Sequence, residues 1–108
     1  MKKYLPYGKQ FIDKKDISGV VRTLKSDYLA TGPLVRKFEK NFEKKFKVKH
    51  AISCSSGTAA LHLALLAIGV KKEDVVILPV INFIASVNMS YILGAKIIFA
   101  DVDKTTGQ

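Results

Sequence analysis

The residues best suited to chemistry lie in one short run, Ser55-Ser56-Gly57-Thr58. A four-residue apolar segment, Ala51-Ile52-Ser53-Cys54, precedes it, and Ala59-Ala60-Leu61-His62-Leu63-Ala64-Leu65-Leu66 follows. The pattern reads as a strand, a turn of small residues, and a helix. Glycine permits close backbone approach, and small hydroxyl residues leave the first-turn amides uncovered. Such amides, at the positive end of the helix dipole, attract an anion, so the turn is a candidate phosphate cradle. An ordinary capped helix start has the same composition. No Gly-Lys-Ser/Thr follows at P-loop spacing, and a single glycine excludes the dinucleotide fingerprint.

The other candidates are single residues. Phe83 follows an apolar run and a proline, where a flat ring could stack on a planar ligand or staple its own helix. His62 could serve as an acid–base group, but it sits between Leu61 and Leu63, as a packed histidine would. His50 has no evident partner. Cys54 lies beside the turn, where a thiol pKa can fall, yet no neighbouring histidine suggests a nucleophile. Asp101 and Asp103 either join a site or cap a turn. No set of His, Cys, Asp and Glu has metal-ligand spacing.

These residues need elements to hold them. Residues 1–12 read as extended. Asp13 caps a first helix, with Asp16 in its first turn and Ile17, Val20, Val21 and Leu24 as its buried stripe. The loop around Thr31-Gly32-Pro33 punctuates the chain. A second helix spans about 34–46, with Leu34, Phe38, Phe42 and Phe46 as a core-facing stripe and Arg36, Lys37, Lys40, Lys44 and Lys45 elsewhere. Strands are expected over 51–54, 75–78 and 96–100, and helices over 58–68 and about 82–93, ended by Gly69 and Gly94. The unbroken Val75-Val76-Ile77-Leu78 run suits a strand covered on both faces. From residue 51 the order is β-α-β-α-β with short connections, an α/β arrangement with a mainly parallel sheet preceded by two helices. Ligands in such sheets bind beyond the strand carboxyl ends, where the loops at 55–58, 79–83 and 101–103 converge.

The totals agree. The chain has 108 residues, is 48% hydrophobic and carries a formal net charge of +9. One modest domain with a core fits these values, and general disorder does not. The longest apolar region, residues 59–70, is too short to span a bilayer. The N-terminus lacks the apolar core of a signal peptide, and a lone cysteine suits a reducing cytoplasm. The lysines are dispersed and read mainly as a solvated surface. No nucleic-acid-binding signature accompanies them, so neither nucleic acid nor membrane is expected as a partner.

Taken together, Thr31-Gly32-Pro33, Phe38-Glu39, Ser55-Ser56-Gly57-Thr58-Ala59-Ala60-Leu61-His62, the 79–83 segment, Gly94-Ala95 and Asp101-Val102-Asp103 resemble the start of the DegT/DnrJ/StrS sugar-nucleotide aminotransferases. These are fold type I enzymes that use pyridoxal 5′-phosphate (PLP). Order and spacing agree over essentially the whole chain. Pro6-Tyr7-Gly8 and Lys25-Ser26-Asp27-Tyr28-Leu29 look most like the UDP-4-amino-4,6-dideoxy-N-acetyl-altrosamine transaminases within that family.

The resemblance implies that Gly57, Thr58 and Ala59 hold the cofactor phosphate and that Phe83 stacks on the pyridine ring. It places Tyr7 and Thr31 near the sugar-nucleotide site. Asn82 stands where many members have threonine, which keeps a hydrogen bond but puts a hydroxyl role in doubt. The resemblance also implies a homodimer, a cytoplasmic location, and a division into a helical segment, 1–50, and the incomplete start of the PLP-binding α/β domain, 51–108. The family's Schiff-base lysine and the acidic partner of the ring nitrogen match no position here. No catalytic residue is therefore expected in the chain, which alone should be inactive. The implied reaction of the full-length enzyme moves an amino group, from glutamate, onto a keto-sugar nucleotide for surface glycan or flagellar sugar synthesis. The competing readings are a non-catalytic phosphate- or nucleotide-binding α/β module and a basic nucleic-acid-binding domain.

Overall fold

Helix starts in this chain are set by side chains that occupy otherwise orphaned amides. Asp13 Oδ1 accepts from the Lys15 and Asp16 amides at 2.6 and 3.0 Å, and Asp16 Oδ2 accepts from the Asp13 amide at 2.9 Å. This reciprocal capping box opens α1, Lys14–Leu24. Helix α2, Pro33–Phe46, starts differently: Pro33 fixes the first φ and needs no amide partner. It ends on Lys47 in the left-handed region (φ 54°), whose amide donates to the Glu43 carbonyl. In the computed structural model, which describes Pro6 and residues 8–107, the chain divides into two compact units, Met1–Ala51 and Ile52–Gln108.

The second unit holds α3 (Gly57–Ala67), β1 (Val75–Pro79), α4 (Ala85–Ile92) and β2 (Lys96–Ala100). Strands β1 and β2 pair in parallel, from Val75 opposite Lys96 to Pro79 opposite Ala100. The Val80 amide extends the ladder to the Ala100 carbonyl at 2.9 Å, and the Lys96 amide meets the Asp74 carbonyl at 2.8 Å at the other end. A parallel pair needs a crossover, and α4 supplies it, packing on both strands and on α3. Among the described residues the most buried are Ala85, Ser90 and Ala95, at 3, 1 and 7% exposure. Small side chains at these three positions let α4 and its exit lie close to their neighbours. The Ser90 hydroxyl, shut away from water, donates to the Ser86 carbonyl at 2.8 Å. Gly69 and Gly94, at φ 80° and 79°, end α3 and α4 in the left-handed conformation that glycine adopts without strain.

Four expectations change. Residues 51–54 do not join the two-stranded sheet. An extended apolar segment becomes a strand only when a neighbour supplies its ladder, and none of the described residues does so. The α/β class and the parallel pairing hold, and the observed order is helix, then β-α-β. Strand β1 is covered on one face only: Val76 and Leu78 are half-buried while Val75 and Ile77 are exposed. The stripes on α1 (Ile17, Val20, Val21, Leu24) and α2 (Leu34, Phe38, Phe42, Phe46) are exposed rather than buried. On α2 the rings turn to one another, Phe38 to Phe42 at 5.8 Å and Phe42 to Phe46 at 4.4 Å between centroids. Finally, α4 begins at Ala85 rather than Asn82, because the Asn82 carboxamide oxygen takes the Phe83 amide at 2.7 Å and holds a turn there.

Candidate functional site

The Ser55–Thr58 run folds as a helix entry. Ser56 is extended (φ −160°, ψ 161°) and Gly57 is the first residue of α3, one position earlier than the spacing predicts. The Ser56 hydroxyl accepts from the Ala59 amide at 3.1 Å, and the Ser56 carbonyl accepts from the Ala60 amide at 3.0 Å. The expectation that small hydroxyl residues leave the first-turn amides uncovered therefore fails at Ala59, because the capping side chain folds back on it. Gly57 and Thr58 supply the amides that this cap does not take. A Cβ on Gly57 would meet nothing within 4 Å, so the approach to the helix end is open. Thr58 is half-buried, and no hydrogen bond of its hydroxyl forms among the described residues. Within the run it is Ser56 that acts as the N-cap, a role the sequence signals only by a serine three positions before the Ala59-Ala60-Leu61 run of helix formers.

Phe83 stands after the carboxyl end of β1, 73% exposed, with its amide tied to Asn82 and its carbonyl accepting from the Ser86 amide at 3.4 Å. The ring does not staple a helix to the core. It offers an open face at the carboxyl edge of the sheet. Asp101–Asp103 reach the same edge, since Ala100 ends β2 opposite Pro79. Asp101 Oδ1 accepts from the Val102 amide at 2.8 Å. Asp103 Oδ1 accepts from the Thr105 and Thr106 amides at 2.9 and 2.8 Å and from the Thr106 hydroxyl at 3.2 Å. These bonds, the Thr106 amide first, hold the Asp103 carboxyl below its ordinary range. Asp103 is thus a turn cap.

Cys54 is exposed, its thiol donating to the Ser56 carbonyl at 3.4 Å. His62 is half-buried on α3. No group of three or more His, Cys, Asp or Glu among the described residues could hold a metal ion.

Thr31 belongs to the first unit. It has φ 48°, unusual for a β-branched residue, and the turn it forms presses Gly32 against Tyr28. A Cβ on Gly32 would lie 2.5 Å from the Tyr28 Cβ. Tyr7 lies outside the described residues. In the same unit, Glu43 spans the exit from α2. Its carboxylate accepts from the Lys40 ammonium at 2.8 Å and from the Ala51 amide at 3.3 Å. Lys40 chiefly, helped by that amide, keeps the Glu43 carboxyl below its ordinary range.

Comparison with known proteins identifies relatives of this arrangement. Residues 10–108 match the DegT/DnrJ/EryC1/StrS aminotransferase family. The UDP-4-amino-4-deoxy-L-arabinose–oxoglutarate aminotransferase of Shewanella sediminis is 41% identical over 100 residues, covering 93% of this chain and 26% of that protein. Among solved structures, the aminotransferase from Psychrobacter cryohalolentis is similar with a TM-score of 0.80 at 34% identity, over 94% of this chain and 26% of its own. The E. coli GDP-4-keto-6-deoxy-D-mannose-3-dehydratase with bound hydrated PLP has a TM-score of 0.85 at 26% identity, over 94% and 28%. The chain spans about a quarter of the length of these relatives. No helix among the described residues is long and apolar enough to cross a membrane.

Proposed function

Because the chain belongs to the DegT/DnrJ/EryC1/StrS aminotransferase family, we propose that it forms the N-terminal part of a PLP-dependent enzyme that moves an amino group, from glutamate, onto a keto-sugar nucleotide. The observation that carries this reading is the family match across residues 10–108, with the open entry of α3 at its centre. Identity favours transamination over dehydration. The aminotransferase relatives are 41 and 34% identical, against 26% for the dehydratase. A non-catalytic phosphate- or nucleotide-binding module is not favoured by these relatives.

The residues present fit the cofactor. The open space before Gly57 admits a phosphate, which the Gly57 and Thr58 amides and the Thr58 hydroxyl would hold, with Ala59 contributing once its amide leaves Ser56. The exposed Phe83 ring would lie against the cofactor ring. When bound, PLP supplies the electron sink that amino-group transfer requires. The lysine that anchors it belongs to segments of the relatives that this chain does not match, so no lysine here is assigned to catalysis. Thr31 and Tyr7 would line the sugar-nucleotide side. Residues 1–50 form the helical N-terminal segment and 51–108 the start of the PLP-binding domain. The enzyme acts as a cytoplasmic homodimer, and its product feeds surface glycan or flagellar sugar synthesis.

The test is the amino-donor half-reaction of the intact protein. Incubation of its PLP form with glutamate should release 2-oxoglutarate and bleach the cofactor absorbance. A UDP-linked 4-keto sugar should then restore that absorbance. A protein that takes up PLP but releases no 2-oxo acid from glutamate or any other amino acid would defeat the proposal.

A further inference from the structure

The loop that carries Phe83 is held by hydrogen bonds rather than by burial. It is anchored at both ends. The Val80 amide bonds the Ala100 carbonyl at 2.9 Å, and Ala85, 3% exposed, opens α4. Between these anchors Ile81, Phe83 and Ile84 all stand exposed, so packing does not fix their backbone. Asn82 does. Its Oδ1 accepts from the Phe83 amide at 2.7 Å, and its Nδ2 donates to the Ser86 hydroxyl at 3.3 Å. The Ser86 amide returns to the Phe83 carbonyl at 3.4 Å, so Phe83 is held on its amide side and on its carbonyl side. The Ser86 carbonyl in turn accepts from the Ser90 hydroxyl at 2.8 Å, and Ser90 is shut away from water. A continuous set of hydrogen bonds thus runs from a buried serine on α4 to the backbone beneath an exposed ring.

We propose that Asn82, braced by Ser86, is a positioning residue that fixes the backbone of Phe83, so that the ring is set for the pyridine ring of PLP before the cofactor arrives. The inference rests on the proposed function for the identity of the ligand, and on the bonds of Asn82 for the device. A ring as open as Phe83 has few neighbours to limit it, so the direction of its Cα–Cβ bond sets its place. A stacking face left free must be ordered on binding, which costs affinity. The carboxamide suits the task, because one planar group carries an acceptor at one end and two donors at the other. The Phe83 amide can only donate, which turns Oδ1 to it and leaves Nδ2 for the Ser86 hydroxyl. A serine or threonine at the same position has one polar atom for the two partners.

Titration of the intact apo-protein with PLP, followed by absorbance and visible circular dichroism of the bound cofactor, tests this. PLP is achiral, so its dichroism reports the asymmetry of its surroundings. Asn82→Ala should weaken PLP about threefold to tenfold and diminish that dichroism, the loss expected when one side chain must be ordered on binding. Ser86→Ala removes one of the two Asn82 bonds and should give a smaller loss. Ser86→Thr keeps the hydroxyl and should restore wild-type values. Phe83→Ala removes the ring that Asn82 serves. In that background Asn82→Ala should bring no further loss, because the two residues act as a unit. Equal PLP affinity and dichroism in wild type and Asn82→Ala overturn the inference. So does a loss in Asn82→Ala that persists undiminished beside Phe83→Ala, since Asn82 would then act on the cofactor or the fold and not through the ring. Should Asn82→Ala fail to fold, the Ser86 pair decides: equal values in Ser86→Ala and Ser86→Thr overturn the inference.

The glutamate half-reaction on the same samples separates the two readings. A wild-type protein that takes up no PLP and releases no 2-oxo acid refutes the aminotransferase, and the cofactor role of Asn82 with it. A working aminotransferase in which Asn82→Ala matches wild type in PLP affinity and dichroism refutes the positioning role alone.

Discussion

Substituting Ser56 by alanine separates folding from ligand binding at the entry of α3. The hydroxyl takes the Ala59 amide at 3.1 Å, so its removal leaves that donor without its cap. N-cap serine to alanine costs about 1 kcal/mol, and serine to glycine only a few tenths. With a urea m-value of about 1–3 kcal/mol/M, Ser56→Ala should lower the unfolding midpoint of the intact protein by roughly 0.3–1 M, and Ser56→Gly by much less. The ligand should respond in the opposite sense. An amide released from the cap becomes a third donor beside those of Gly57 and Thr58, and a hydrogen bond to a charged acceptor is worth about 1.5–3 kcal/mol before reorganisation. Inorganic phosphate, the simplest stand-in for the cofactor phosphate, should therefore bind Ser56→Ala about threefold to tenfold more tightly. That affinity is read from how far graded phosphate raises the unfolding midpoint. An unchanged midpoint in Ser56→Ala would show that the cap contributes nothing. Phosphate affinity falling tenfold would show that the serine hydroxyl is a ligand group rather than a competitor.

Three further outcomes are expected. Gly32→Ala places a Cβ 2.5 Å from the Tyr28 Cβ, a backbone-fixed atom, and should destabilise the first unit by about 1–3 kcal/mol in urea titration. Ser90→Leu forces four carbons' bulk into a site 1% exposed and should cost about 1–3 kcal/mol, whereas Ser90→Ala should cost about 1 kcal/mol or less. Glu43 has a carboxyl lowered from 4.5, so its hold on Ala51 is fully present above that value and is lost as pH falls through the lower folded value. The Ala51 amide should accordingly lose hydrogen-exchange protection below pH 4.5, and Glu43→Gln should abolish that pH dependence.

Local signals in the sequence were reliable where neighbouring residues decide the outcome. Asp13 with Asp16, Gly69 and Gly94 marked helix ends because caps and left-handed turns are settled within a few residues. The alternation of Val75–Pro79, α4 and Lys96–Ala100 also announced a parallel pair. Residues 51–54 resemble a strand in sequence because an apolar extended segment has the composition of one whether or not a ladder reaches it. The stripes of α1 and α2 told which face is apolar but not whether anything lies against it. At the site, the residue types showed a helix entry. Which amide remains open depended on the rotamer of Ser56, which no pattern encodes.

The phenylalanine ladder of α2 also bears on the order in which the chain acquires structure. Its ring contacts run four residues apart, and the Lys40–Glu43 pair spans three, so every one forms inside the helix itself. Helix α1 is likewise capped from within its own segment, by Asp13 and Asp16 at its start and by the Lys25 amide at its end. The β1–β2 pairing instead waits for a crossover of more than fifteen residues. During synthesis the first 50 residues can thus be helical while the sheet is still unmade, because contacts of short sequence separation form soonest. The nascent chain then presents the bare apolar stripes of both helical segments before the sheet is made, the kind of surface that chaperones bind.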